Sequence, residues 1–146
     1  RCAIAFYDAA VILYKNEADL GRGGFAAEFN AALSIEIMLK AILVKNGNGF
    51  PKKHNLNLLF SATKIDITED QRYMIEYFTE VLIWFKYPVP KTEKEWDRFY
   101  DEIFEGLVTR SQEGNTFLVR ANEERWPSFD NYMKLWDEII KKYKNI

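Results

Sequence analysis

His54 is the only histidine among the 146 residues, so it is the only side chain whose ordinary pKa suits proton transfer near neutral pH. A serine or cysteine nucleophile would need His54 as its base, and no catalytic signature surrounds Cys2, the only cysteine. Close to Pro51, a lone histidine more often bonds a nearby backbone group or caps a helix than moves a proton. The residue therefore has a structural as well as a chemical interpretation, and no catalytic residue is assigned.

The other charged side chains also favour binding or structure over catalysis. The carboxylates of one predicted helix, including Asp97, Asp101 and Glu105, lie opposite its apolar residues, as on a solvated face, so no metal site or cofactor is predicted. The net charge of -2 and the pI of about 5.6 argue against non-specific binding of nucleic acid. The sequence is still compatible with a local basic groove. The residues that could form it are Lys52 with Lys53, Arg120 with Arg125, and the lysines of the C-terminal turn.

The size and cysteine usage of the chain predict one domain, residues 1–146, in a reducing compartment, with the cytoplasm as the expected location. The longest apolar stretch, Phe25 to Val44, is long enough to span a bilayer, but it contains Glu28, Glu36 and Lys40. We therefore expect a buried central helix and no membrane partner.

The elements that would hold these residues are predicted to be helices, because apolar residues recur at spacings of three and four. The predicted fold is an all-α, up-and-down bundle of five main helices and a short sixth. The segment Thr116 to Val119 is rich in strand-forming residues but has no visible partner, so it is interpreted as a loop or a continuing helical turn. The predicted helices cover Ala3 to Glu17, Phe25 to Asn46, Asn55 to Ala62, Thr68 to about Lys86, Thr92 to Leu107, and the residues after Ser128.

Three short motifs in this order resemble the HEPN superfamily of helical bundles. Residues 31–40, Ala-Ala-Leu-Ser-Ile-Glu-Ile-Met-Leu-Lys, look like its small-residue helix with Glu and Lys four apart. His54-Asn55-Leu56 and Lys86-Tyr87-Pro88 are similar to its His-Asx-Leu turn and to an Arg-Tyr-Pro corner of some members. The likeness covers roughly residues 3–112. Glu36 and Lys40 also have a simpler interpretation as a helical ion pair, worth about a few tenths of a kcal/mol when exposed.

The resemblance implies a test for ribonuclease activity. Catalytic HEPN domains pair an arginine with a histidine that follows after four to six intervening residues, usually across a dimer groove. The corresponding positions before His54 are Gly47, Asn48 and Gly49, so the motif is absent. Arg110 is followed at the histidine positions by residues 115–117, beginning with Asn115, and Arg120 by residues 125–127. An asparagine cannot shuttle a proton and an arginine stays charged, so these remnants could hold a phosphate but not act as a base.

The resemblance thus implies a non-catalytic HEPN-like module that forms a homodimer and binds a nucleotide, RNA or a protein partner, as in toxin-antitoxin and defence systems. One alternative is a metal-independent ribonuclease that uses Arg110 or Arg120 with an unconventional partner. Another is a plain protein-interaction domain. The candidate ligand-binding residues are His54, Lys86, Tyr87, Arg110, Asn115, Arg120 and Arg125.

Overall fold

The computed structural model describes residues 2–16, 24–86, 92–114 and 116–146, with the backbone alone at Trp84, Phe85, Lys86, Glu95, Trp96 and Tyr100. Four helices come first: α1 Cys2–Lys15, α2 Gly24–Lys45, α3 Leu56–Thr63 and α4 Glu69–Lys86. The helical segment α5 joins Glu93–Arg98, a π-helical turn Phe99–Phe104 and the short piece Glu105–Leu107. The antiparallel strands β1 Val108–Glu113 and β2 Thr116–Ala121 precede the last helix, α6 Phe129–Lys144.

The long helix α2 lies at the centre of the bundle and contacts α1, α3, α4 and α6. Ala31, Ile35, Leu39 and Ile42 of α2 are fully buried. Burial of each large apolar side chain stabilises the fold by roughly 1.5–3 kcal/mol, so this helix organises the core. The predicted buried central helix is confirmed. Among the described helices, none combines the length and apolar composition needed to cross a bilayer.

Polar side chains begin three of the helices at the predicted positions. The side chain of Asn55 accepts a hydrogen bond from the backbone N–H of Leu58, 3.0 Å away, and Ser128 caps α6 in the same way. Thr68 and Gln71 satisfy each other's backbone donors at the start of α4, at 2.9 and 3.1 Å. The predicted helical bundle is confirmed by the helices and their packing around α2, and three of its helices begin where the sequence predicts.

The prediction of a loop or helical turn at Thr116 to Val119 was wrong. This segment belongs to β2, which pairs with β1 in a register that places Glu113 opposite Thr116 and Val108 opposite Ala121. The partner strand gives no apolar alternation in the sequence, because Val-Thr-Arg-Ser-Gln-Glu is mostly polar. Gly114 has a positive φ of 61°, which suits the tight turn between the strands. A small hairpin is thus added to a mostly helical fold.

Candidate functional site

The carboxylate of Glu36 on α2 is contacted by two side chains, Lys40 of the same helix and His54 of the segment before α3. The Glu36 side chain is only 2% exposed, and Lys40, one helical turn later, donates a hydrogen bond to it. The Nδ1 atom of His54 lies 3.0 Å from both carboxylate oxygens. Burying an unpaired carboxylate costs on the order of several kcal/mol, and the two donors offset that cost. This Glu36 cluster, made of Glu36, Lys40 and His54, ties the segment before α3 to the central helix.

The contact with Glu36 also orients the imidazole of His54. A carboxylate only accepts hydrogen bonds, so Nδ1 carries the hydrogen, and Nε2 is an acceptor in the neutral ring or a second donor in the charged ring. The His54 side chain is 35% exposed and can be reached from solvent. No local pattern indicated this partner, because 18 residues separate His54 from Glu36. The expected Glu36–Lys40 ion pair is present, but its carboxylate is buried.

The surface around the Glu36 cluster is cationic and aromatic. Phe50 is 44% exposed, and the Nζ atom of Lys40 lies 5.3 Å from the centre of its ring. Lys52 and Lys53 follow and are both exposed. We call Lys40, Phe50, Lys52, Lys53 and His54 the cationic surface. Although the whole chain has a net charge of -2, Lys40 and His54 share one buried carboxylate here, and two exposed lysines directly precede His54 in the chain.

The two arginines of the hairpin each lie beside a carboxylate. The Nε atom of Arg110 is 2.9 Å from Oε2 of Glu105, and a second guanidinium nitrogen bonds Oε1. This hydrogen bonding holds the pKa of Glu105 below its ordinary value. Arg120 lies 4.0 Å from Glu113, and its side chain is 70% exposed. Both positive charges are therefore partly neutralised by their own neighbours.

The candidate arginines do not converge on one site within the hairpin. Arg110 is paired with Val119 in the strand register, whereas Arg120 is paired with Thr109, so the two arginines point to opposite faces of the hairpin. Arg125, beyond the hairpin, donates from Nε to Asp70 at 2.7 Å. That hydrogen bond raises the pKa of the Arg125 guanidinium.

Comparison with known proteins identifies the family of the chain. The family model described as HEPN domain matches residues 1–111, which include the Glu36 cluster and most of β1. The chain belongs to the HEPN domain family. No curated protein and no solved structure matches it. The match ends inside β1, so the second strand of the hairpin and α6 of this HEPN domain lie beyond the matched residues.

Three of the predicted ligand-binding residues of this HEPN domain lie at the edge of what the structure describes. Lys86 is the last residue of α4, and its backbone alone is described. Tyr87 and Asn115 lie outside the described residues. The corner predicted at Lys86-Tyr87-Pro88 therefore stays a prediction. Of the predicted site, His54 is the residue that the structure places in a cluster of charged groups.

An acidic cleft of about 220 Å³ that the sequence did not suggest lies beside the start of α3 in this HEPN domain. Glu76 and Glu80 of α4 line it together with Glu102 of α5, and Arg98 bonds Glu80. Burial raises the pKa of Glu76, and Glu102 adds to the shift, while Arg72 and Arg98 oppose it. Within the described part of the chain, no group of three or more acidic, histidine or cysteine side chains could hold a metal ion.

Proposed function

We propose that this HEPN domain is a non-catalytic module that dimerises and binds single-stranded RNA, as a component of a toxin-antitoxin or defence system. The observation that carries the proposal is the cationic surface, where Lys40 and His54 share a buried carboxylate and lie beside an exposed aromatic ring and two exposed lysines of the same segment. Family membership supports the RNA-related and toxin-antitoxin context. It also supports dimerisation, which is common among HEPN domains.

The chemistry of the cationic surface suits a flexible strand of nucleotides. Proteins bind single strands through cations that follow the phosphates and aromatic rings on which bases stack. Lys52 and Lys53 supply exposed charge, and the ring of Phe50 supplies a stacking face. Glu36 restrains both Lys40 and His54, so less side-chain entropy is lost when a ligand binds there.

The arrangement of the arginines supports a binding role over cleavage. Metal-independent cleavage of RNA needs a cation fixed at the phosphate and a group that transfers a proton. Arg110 is paired with Glu105 of α5, and Arg120 lies 4.0 Å from Glu113 of β1. Each of the two guanidinium groups thus has its own acidic neighbour, which reduces the positive charge that it can offer to a phosphate at a cleavage site.

The test is the affinity of the purified protein for a short fluorescent single-stranded RNA, measured by anisotropy at several salt concentrations. Replacing both lysines, Lys52→Glu and Lys53→Glu, should weaken binding. It should also lower the slope of log affinity against log salt by roughly 1.4, because each phosphate contact contributes roughly 0.7. The matched control, Lys141→Glu with Lys142→Glu, makes the same change of net charge on α6 and should keep the affinity.

A second pair of variants tests stacking separately from charge. Phe50→Ala should cost about 1–3 kcal/mol of binding free energy and leave the salt slope unchanged. Phe25→Ala is the control, since Phe25 and Phe50 are both 44% exposed. Competition with free nucleotides shows whether a single base with its phosphate is enough for binding. Absence of RNA binding by the unaltered protein, or equal losses in both lysine pairs, would refute the proposal.

One observation favours the alternative of a ribonuclease, namely the Glu36 carboxylate that orients the ring of His54 as it would orient a general base. Incubation of structured RNA with the protein in EDTA tests this alternative. If cleavage occurs and is lost in His54→Ala, or in Arg110→Ala with Arg120→Ala, the module is an enzyme and the non-catalytic proposal is wrong. We expect intact RNA.

A further inference from the structure

The outer edge of β2 presents backbone groups that the hairpin itself does not use. The bond from Asn122 N–H to Leu107 C=O, 2.8 Å long, marks a hydrogen-bonded pair at the end of the hairpin far from the turn. Such pairs alternate along antiparallel strands, so in this register Ser111 with Leu118 and Glu113 with Thr116 are the hydrogen-bonded pairs next to the turn. The backbone N–H and C=O groups of Phe117 and Val119 therefore point away from β1.

This edge is also apolar and almost uncharged. Phe117 is 78% exposed and Val119 is 49% exposed, and Arg120 is the single charged residue of β2. Every other strand residue except Val108 and Leu118 is exposed as well. A two-stranded hairpin is marginally stable by itself, and an open edge of this composition tends to pair with another strand.

We propose that β2 pairs antiparallel with β2 of a second copy of this chain, about a twofold axis at Leu118, to form a four-stranded sheet across a dimer. The inference rests on the dimerisation included in the proposed function and names the surface that forms it. The outer edge of β1 fits such pairing less well, because its sequence is mostly polar and includes Arg110.

The sequence of β2 is complementary to itself in this register. With Leu118 opposite its copy, Phe117 of each chain faces Val119 of the other, an aromatic and β-branched pair that stabilises antiparallel strands. These are also the residues whose backbone groups point outward, so they exchange four hydrogen bonds across the axis.

The same register keeps the positive charges apart. Arg120 of each chain faces Thr116 of the other, and the two arginines lie about four residues apart along the strands, roughly 13 Å. That distance exceeds the screening length of about 8 Å at physiological salt, so their repulsion is small. Moving the axis to Val119 would halve the separation along the strands, which favours the axis at Leu118.

Two proline variants test which edge is used. Val119→Pro and Gln112→Pro each remove a backbone N–H that points out of the hairpin, one from β2 and the other from β1. In sedimentation velocity, the unaltered protein and Gln112→Pro should be dimers, and Val119→Pro should be a monomer with an unchanged helical circular dichroism signal.

Cysteine cross-linking tests the register without removing a hydrogen bond. In a Cys2→Ser background, Leu118→Cys should give a disulfide-linked dimer on mild oxidation, since opposed non-hydrogen-bonded residues lie about 4.5 Å apart at Cα. Ser111→Cys, the hairpin partner of Leu118, should stay monomeric on a non-reducing gel.

A dimer that persists in Val119→Pro, together with no cross-link at Leu118→Cys, would overturn the β2 surface while leaving the proposed dimerisation standing. A monomer at all concentrations of the unaltered protein would overturn both. RNA binding is measured on separate variants of the cationic surface, so its outcome is independent of this test.

Discussion

Glu36 in the bundle and Glu105 at the base of the hairpin both accept hydrogen bonds from a cationic side chain, but their surroundings differ. The side chain of Glu36 is 2% exposed and that of Glu105 is 42% exposed. A buried carboxylate needs its hydrogen-bond donors to offset the cost of burying its charge. An exposed carboxylate is solvated by water with or without such donors. The comparison shows that the Glu36 cluster fixes the architecture, while the pairs on the hairpin mainly set its surface charge.

The largest effect is expected from Glu36→Gln, which keeps the shape of the side chain and removes its charge. Lys40 and His54 would then share a single amide oxygen as acceptor. We expect a loss of about 2–4 kcal/mol in the free energy of unfolding, measured with urea. A loss below about 1 kcal/mol would mean that the buried cluster holds the fold no better than an exposed pair.

The next effect is expected from Gly106→Ala, at the packing between α5 and α4. A Cβ atom at this position would overlap the ring of Tyr73, over which the Arg125 guanidinium lies at 4.3 Å. Displacing the ring should cost about 1–3 kcal/mol in thermal or urea unfolding. Gly49→Ala is the control, because no atom lies within 4 Å of the place its new Cβ would occupy and the substitution should be tolerated. Equal stability of the two variants would contradict the close contact.

A smaller, pH-dependent effect is expected from Glu76→Gln. Burial raises the pKa of Glu76, so its contribution to stability is complete below the unfolded pKa and is lost as the pH rises through the folded pKa. Glutamine does not ionise and avoids that loss. The variant should therefore be more stable than the unaltered protein at neutral pH, by under about 1 kcal/mol because the group is only half-buried, with no gain at low pH. A gain that is the same at both pH values would assign the effect to packing.

The smallest effect is expected from Arg110→Ala on the hairpin. Its partner Glu105 stays solvated, so the urea midpoint of the bundle should not move at low or high salt. A clear loss of stability that disappears in high salt would show that the hairpin pair, like the Glu36 cluster, supports the fold. The contrast between the buried and the exposed carboxylate would then be wrong.

Local features of the fold were predictable from the sequence, because the bonds that define them lie within a few residues. Asn55, Thr68 with Gln71, and Ser128 begin helices in the structure as their side chains and spacing indicated. The burial of α2 was also predictable from the sequence, because an almost uniformly apolar helix lacks a polar face that could be exposed to solvent.

The contact between His54 and Glu36 depends on how the segment after α2 folds back, and no local pattern encodes that path. The hairpin did leave a signal. Gly114 and Asn115 form a glycine-asparagine pair, which often makes a two-residue turn between strands, and strand-forming residues follow it. This signal is weak by itself, because the preceding strand lacks the alternating apolar residues that would support a hairpin.

The π-helical turn Phe99–Phe104 determines the direction in which the chain leaves α5 towards the hairpin. Such a turn accommodates one extra residue without breaking the helix. If the same residues were wound as a regular α-helix, everything downstream would rotate by about 100° around the helix axis, the turn of one residue. Because that rotation would carry β2 to another side of the molecule, the geometry of any assembly built on this edge depends on a one-residue insertion some fifteen positions earlier in the chain.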